Sequence, residues 1–113
     1  VGKGAGMRVE NRVPGGDVNP YLATAAMIAA GISGIEQGLE LEEITEGNGY
    51  IADKPRVASS MRDAAELFAQ SAFAREAFGD AVVDHYVHYA RTEIREFESV
   101  VTEWERIRGF ERL

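Results

Sequence analysis

The stretch from Val18 to Ile35, which carries no charged side chain, most constrains how this chain can fold. Asn19 is a good N-cap, and Pro20 suits the first helical position because the N–H that it lacks would be unpaired there. The stretch is rich in alanine and glycine, so other backbones can approach the helix closely. A helix that is apolar on several sides is typically buried, and we therefore predict a core helix that runs to about Leu39.

Composition excludes several classes of protein. The net charge of −7 and the pI near 4.8 argue against nucleic acid and against an anionic membrane surface as partners. The charge-free stretch approaches the length of a membrane span, but acidic residues, Asp17 and Glu36, bound it, so we expect no membrane association. The absence of cysteine excludes a disulfide framework and a cysteine nucleophile. It is compatible with a reducing compartment, and we expect a cytoplasmic protein.

Helical patterns fill the C-terminal half of the chain. Ser60 followed by Asp63 is typical of a capping box at a helix start. A short helix from Ser71 to Phe78 should stop at Gly79, and the longest helix should begin near Asp80. Its apolar seam has a spacing of three and four residues and comprises Val83, Val87, Ala90, Ile94, Phe97, Val101 and Trp104. We therefore predict a mostly α-helical chain with three to four helices.

One short β-strand is predicted from Met7 to Val13, followed by a turn at residues 14–17. Every second side chain of a strand shares a face, so Arg8, Glu10 and Arg12 would line up about 7 Å apart. A carboxylate between two guanidinium groups suits a site that handles phosphate, because a divalent metal needs hard oxygen ligands and arginine neutralises phosphoryl oxygens. From spacing alone, a solvent-exposed, charged edge strand remains an alternative.

These residues begin a longer motif, Arg-x-Glu-x-Arg-x-Pro-Gly-x-Asp-x-Asn-Pro-Tyr-Leu at positions 8–22, which leads into an Ala/Gly-rich helix ending Gly34-Ile35-Glu36. The motif resembles the last part of the glutamine synthetase catalytic domain. Phe78-Gly79-Asp80 and the segment from Val101 to Arg106 are similar to the closing segment of that family. The resemblance implies a C-terminal fragment of an α+β catalytic domain, and a start at Val1 without an initiator methionine fits an excised piece.

This interpretation divides the chain into four regions. We expect an active-site strand and turn at residues 1–17 and a core helix at residues 18–39. An acidic connector should occupy residues 40–58, and the C-terminal helices residues 59–113. The connector owes its acidity to Glu40, Glu42, Glu43 and Glu46.

The resemblance also implies a role for each member of the Arg-Glu-Arg pattern. Glu10 matches a ligand of one of the family's two divalent metals, Mg²⁺ or Mn²⁺. Arg12 matches a catalytic arginine that contacts the glutamate substrate and its developing γ-phosphate, and Arg8 matches an arginine that faces the phosphates of ATP. The implied reaction phosphorylates the γ-carboxylate of glutamate, after which ammonia or another amine displaces phosphate. One carboxylate cannot complete a magnesium site, so we expect the isolated fragment to be inactive.

Two further positions have alternative interpretations. Tyr50 stands where one branch of the family carries an adenylylated tyrosine, but the acidic surroundings are replaced here by residues 47–52, Gly-Asn-Gly-Tyr-Ile-Ala. This departure favours an ordinary loop tyrosine, and it favours the relatives that join other amines, such as polyamines, to glutamate. His85 and His88 with Asp84 would make a weak metal motif, and a solvated helix face is favoured because no fourth ligand is near.

The expected assembly is a homo-oligomer, because so small a chain cannot bury both the charge-free helix and the long seam within itself. A protein of a different class remains open as an alternative. It is a stand-alone acidic helical module without catalysis, whose seam binds a partner helix.

Overall fold

A computed structural model describes residues 2–51 and 53–112 of the chain. Val1, Ala52 and Leu113 lie outside the described residues, and with them the outer ends of the first and last predicted regions. The prediction of a mostly helical chain is confirmed, with one α-helix more than expected. The described elements are a short 3-10 helix at Gly4–Gly6 and five α-helices, α1 (Pro20–Glu36), α2 (Met61–Gln70), α3 (Ala72–Phe78), α4 (Asp80–Glu98) and α5 (Glu103–Phe110).

The chain divides into two units, Val1–Val57 and Ala58–Leu113. The first contains the 3-10 helix, α1 and the acidic connector as far as Val57, and the second contains α2 to α5. In the described ranges, none of the helices combines the length and the hydropathy that crossing a membrane requires.

The predicted strand from Met7 to Val13 is wrong. These residues form no regular secondary structure, and the described ranges contain no strand that could pair with them. A strand depends on ladder hydrogen bonds from a neighbour, which alternation of side chains cannot supply. A local bond holds the backbone instead, because Asn11 Oδ1 accepts a hydrogen bond from the Val13 N–H at 3.0 Å.

Helix α1 begins at Pro20, after the predicted N-cap Asn19, whose Oδ1 accepts hydrogen bonds from the backbone N–H groups of Tyr21 at 3.0 Å and Leu22 at 3.2 Å. It ends at Glu36, three residues before the predicted end. Gly38 there has a φ of +60°, a left-handed conformation that favours glycine. The Leu39 N–H then bonds back to the Gly34 carbonyl at 3.0 Å, a C-terminal motif that closes the helix.

None of the α1 side chains is buried within the first unit. Ile28, Ile32 and Ile35 are each more than half exposed. The apolar character that predicted a core helix is therefore present, but the described first unit does not cover it. Burial of α1 stays a prediction for the whole protein.

The acidic connector follows α1 and contains no helix among its described residues. Lys54 Nζ donates a hydrogen bond to Glu42 Oε2 at 2.7 Å, and this bond lowers the pKa of the Glu42 carboxyl. Arg56 Nη2 donates to the Tyr50 carbonyl at 2.7 Å. These two bonds link positions of the connector that lie twelve and six residues apart.

In the second unit, α2 and α3 both pack against α4. The side chain of Val83 on α4 is fully buried and forms a small core with Ala74 and Val87. Phe68, Ala69 and Phe78 pack against this core while remaining partly exposed. The second unit is therefore organised around the first half of α4.

One glycine and one arginine make the joint between α3 and α4. Gly79 has a φ of +82°, which confirms the predicted stop after α3. Arg75 donates from Nε and Nη2 to the Ala69 carbonyl at 3.1 and 2.9 Å, from Nη1 to Asp80 at 2.7 Å and from Nη2 to Asp84 at 3.0 Å. The bond to Asp80, then that to Asp84, raises the pKa of Arg75. A single guanidinium thus ties the end of α2 to the start of α4.

Two exposed ion pairs also join α2 to α4. Arg91 Nη2 lies 2.6 Å from Glu66 Oε1, and Arg62 bonds to Glu98. The bond to Glu98 raises the pKa of Arg62. Solvent screens such exposed pairs, so they align the helices more than they stabilise the fold. The predicted start of α2 is confirmed, because the Ser60 hydroxyl accepts a bond from the Asp63 N–H at 3.1 Å.

The long helix predicted to carry the apolar seam through Val101 and Trp104 is shorter than expected. Helix α4 ends at Glu98, where the Ser99 hydroxyl donates to the Glu96 carbonyl at 2.7 Å. A separate helix, α5, then begins after its N-cap Thr102. The seam is consequently broken, with Val101 between helices and Trp104 on a separate helix.

Replacement of Val83 by Ala should lower the free energy of unfolding by about 2 kcal/mol, because it removes buried methyl groups and leaves a small cavity. Its neighbour Val82 is partly exposed and provides the control, for which Val82→Ala should change the value by less than about 0.5 kcal/mol. Denaturant unfolding of both variants measures the difference. Equal effects would contradict the assignment of the core.

Acid should weaken the start of α5. The Thr102 N–H and hydroxyl each donate to Glu105 Oε2 at 2.8 Å, and these bonds, the backbone one first, lower the pKa of Glu105 below its usual 4.5. A lowered folded-state pKa means that the stabilisation is complete above the unfolded value and is lost as pH falls through the folded one. The amide signals of Thr102 and Glu105 in an NMR titration should follow this loss. The transition should disappear in Glu105→Gln and persist in Glu103→Gln.

Candidate functional site

The three residues singled out in the sequence meet at one carboxylate. Glu10 Oε2 accepts a hydrogen bond from Arg8 Nη2 at 2.8 Å, and Glu10 Oε1 accepts one from Arg12 Nε. The Glu10 side chain is only 25% exposed, whereas that of Arg12 is 87% exposed. The grouping forms without a β-strand, because a carboxylate can bridge two arginines that each lie two positions away.

The backbone on the C-terminal side of this Arg8–Glu10–Arg12 cluster is shaped by two asparagines. Asn11 bonds to the Val13 N–H, and Asn19 caps α1 through two backbone bonds. Between them, the Val18 N–H bonds to the Gly15 carbonyl at 3.4 Å and closes a turn at residues 15–18, one position later than predicted. Polar side chains therefore fix the path from the cluster to the helix, which agrees with the structural role expected for Asn19.

The cluster can bind an anion. Two guanidinium groups and one carboxylate leave one net positive charge. In the described chain only the Nε of Arg12 is engaged, so its two terminal nitrogens remain available to a carboxylate or phosphoryl group. Arginine binds such planar or tetrahedral anions with paired hydrogen bonds. Arg8 also donates to the Gly6 carbonyl at 3.4 Å, which holds it against the chain.

Glu10 could provide one ligand to a divalent metal. Each carboxylate oxygen accepts a single guanidinium bond and retains a second lone pair for a cation. Magnesium requires near-octahedral oxygen coordination. Among residues 2–51 and 53–112, no group of three or more His, Cys, Asp or Glu side chains is arranged to hold a metal. Glu10 thus offers one of the several oxygen ligands that a magnesium site needs.

The second candidate metal motif, formed by Asp84, His85 and His88, lies on α4, where two of its side chains have other partners. Asp84 bonds to Arg75, and the His85 ring lies edge to face against Tyr86 with centroids 5.5 Å apart. His88 is exposed on the same helix. Tyr50 is also exposed, within a turn that runs from Asn48 to Ile51.

Arg75 is the polar residue that the sequence analysis missed. Its acceptors lie between five and nine positions away, on either side, and belong to two different helices. No helical repeat or short motif links such positions. The one local signal was an arginine one turn before a glycine stop, followed by an acidic residue, Asp80, in the first turn of the next helix.

Comparison with known proteins gives consistent relationships along the whole chain. The sequence model of the family described as the glutamine synthetase catalytic domain matches residues 1–108. The chain is 55% identical over its full length to the γ-glutamylethanolamide synthetase of Streptomyces coelicolor, of which it covers 24%. It is 39% identical to the glutamate–isopropylamine ligase of a Pseudomonas species over 93% of the chain, covering 24% of that protein. With the type-1 glutamine synthetase 2 of Dictyostelium discoideum it is 40% identical over 96% of the chain, covering 22% of that protein. The chain thus spans about a quarter of the length of these relatives.

Proposed function

The chain belongs to the glutamine synthetase family, and on this premise we propose that it is a C-terminal portion of an ATP-dependent ligase that joins ammonia or another amine to the γ-carboxylate of glutamate. The observation that carries the proposal is the Glu10 carboxylate bonded to both Arg8 and Arg12. The alternative of a stand-alone acidic helical module is set aside, because the family match extends from residue 1 to residue 108.

The proposed reaction has two steps. In the first, the γ-carboxylate of glutamate attacks the terminal phosphorus of ATP, which releases ADP and forms γ-glutamyl phosphate. In the second, the amine attacks the γ-carbonyl carbon, loses a proton, and expels phosphate. Transfer of a phosphoryl group depends mostly on positioning and on neutralisation of charge, so cationic side chains suit the first step.

Each residue of the cluster has one proposed task. Arg12 binds the glutamate carboxylate and neutralises charge that develops on the transferred phosphoryl group, since its terminal nitrogens are available. Arg8 faces the phosphates of ATP. Glu10 orients both guanidinium groups through its two oxygens and is one ligand of Mg²⁺ or Mn²⁺. When bound, such an ion neutralises phosphoryl oxygens.

Two of the relatives suggest the class of amine. One is named for ethanolamide synthesis and is 55% identical to the chain, and the other is named for isopropylamine and is 39% identical. The loop around Tyr50 also lacks the acidic sequence of the branch that is adenylylated. We therefore favour a small primary amine with a short carbon substituent over ammonia.

The exposed apolar surface of α1 is expected to be covered in the whole protein. Met27, Ile28 and Ile32 form part of a face that water would otherwise contact. We propose that it packs against the rest of the catalytic domain and that the enzyme is a homo-oligomer.

Turnover by the whole protein should require both glutamate and an amine. We expect release of ADP with ethanolamine or isopropylamine to exceed release with ammonia, and we expect mass spectrometry to detect the matching γ-glutamylamide. The 113-residue chain assayed alone is the control, and it should be inactive because Glu10 is a single ligand. ATP turnover that no amine stimulates would sink the proposed function.

Variants of the cluster in the whole protein should separate the three tasks. Glu10→Ala should nearly abolish phosphoryl transfer and weaken metal binding, because a charged ligand is lost. Arg12→Lys should also impair transfer, since lysine keeps the charge but not the planar fork. Arg8→Lys should have a milder effect if Arg8 acts mainly through its charge.

Single-turnover transfer from ATP measures these effects, and Asn11→Ala is the matched control. Its side chain bonds to the backbone of Val13, so it should change stability more than the chemical step. Parental rates and unchanged metal dependence in Glu10→Ala would show that the roles assigned to the cluster are wrong.

A further inference from the structure

A second chemically distinctive feature lies in the acidic connector, at the turn formed by Asn48, Gly49, Tyr50 and Ile51. Asn48 Oδ1 accepts a hydrogen bond from the Tyr50 N–H at 3.0 Å, and the Asn48 carbonyl accepts one from the Ile51 N–H at 3.2 Å. All four residues are exposed. The turn is therefore open to water and to base.

The bond to Tyr50 joins an electrophile and a nucleophile in one ring. The ring contains both Asn48 Cγ and the Gly49 backbone nitrogen, so the bond limits how far these two atoms can separate. An N–H donated to Oδ1 also polarises the carbonyl and makes Cγ more electrophilic. These are the two atoms that must join to form a five-membered succinimide.

The Gly49 nitrogen is accessible for this reaction. In the described part of the chain its N–H has no hydrogen-bond acceptor. Apart from its two chain neighbours, a Cβ built at Gly49 would meet no atom within 4 Å, so the space beside this residue is open. Glycine also lacks the side chain that hinders ring closure after other residues.

We propose that Asn48 is a site of spontaneous deamidation through a succinimide. The Gly49 nitrogen loses its proton to base and forms a bond to Asn48 Cγ. The protonated base returns a proton to the side-chain nitrogen, and the bond from Cγ to that nitrogen breaks, with ammonia as the leaving group. Water then opens either carbon–nitrogen bond of the ring. The products are an aspartate or an isoaspartate at position 48, and water is the sole co-reactant consumed.

The chain contains two other asparagines, which provide internal controls. Asn19 precedes Pro20, which has no N–H to deprotonate, and its Oδ1 is held by two backbone amides at the start of α1. Asn11 precedes Arg12, whose side chain hinders attack. Asn48 alone combines a following glycine with an exposed turn.

The modification would change the connector in two ways. It adds a negative charge to a segment that already carries Glu42, Glu43 and Glu46. An isoaspartate also inserts a methylene group into the backbone, so the bonds to the Tyr50 and Ile51 N–H groups are lost. The inference concerns the connector alone and does not depend on the proposed ligase activity.

The test is incubation of the whole protein at mildly alkaline pH, followed by peptide mass spectrometry that separates aspartate from isoaspartate. A mass gain of one dalton should accumulate at Asn48 at least about tenfold faster than at Asn11, a difference of about 1.4 kcal/mol in activation free energy. Asn19 should stay unmodified. Both products should appear at position 48.

Gly49→Ala is the matched variant, because Gly49 does not have a positive φ and there is room for a methyl group. The variant retains Asn48 and the turn, but its deamidation at Asn48 should be about tenfold slower than in the parent. Equal rates at Asn48 and Asn11, an unchanged rate in Gly49→Ala, or aspartate without isoaspartate would each overturn the proposal.

Discussion

Helices as short as α3 are marginal in water by themselves, so the second unit depends on the apolar contacts that its helices share around Val83. The buried set is small, and it consists of alanine and valine rather than large side chains. Such a core holds the helices only when they approach closely. The tight joint at Gly79 and the Arg75 guanidinium allow that approach, because they bring the start of α4 back against the end of α2.

The parts of the fold that could be predicted are those that depend on neighbouring residues. The starts of α1 and α2 follow from Asn19 and Ser60, and the stop of α3 follows from Gly79. The predicted strand was wrong because a strand needs a pairing partner that lies far away in the sequence. The predicted long helix was wrong because its apolar periodicity continues past Ser99, where a hydrogen bond from the Ser99 hydroxyl to the backbone ends α4 before Thr102 caps α5.

The grouping of Arg8, Glu10 and Arg12 was predictable for a similar reason, since the three residues are close in sequence, whereas their functional roles stay predictions. The bridging geometry was not predictable, because strand geometry implied parallel side chains and not two arginines on one carboxylate. The ion pair between Arg91 and Glu66 could not be foreseen either, as the residues are far apart in sequence. The chain spans about a quarter of the length of its relatives, and its local motifs are enough to indicate the family. They include one carboxylate of the proposed metal site, so the remaining ligands of that site could not be predicted from them.

The bridging carboxylate has a thermodynamic consequence. Each guanidinium on Glu10 offsets part of its negative charge, so an anion that competed for Arg12 would leave the carboxylate more attractive to a cation. If Glu10 binds a cation and Arg12 an anion, as proposed, the two binding events are coupled through one side chain, and the coupling free energy is the same in either order. The proposed roles thus imply cooperativity between opposite charges within a segment of five residues.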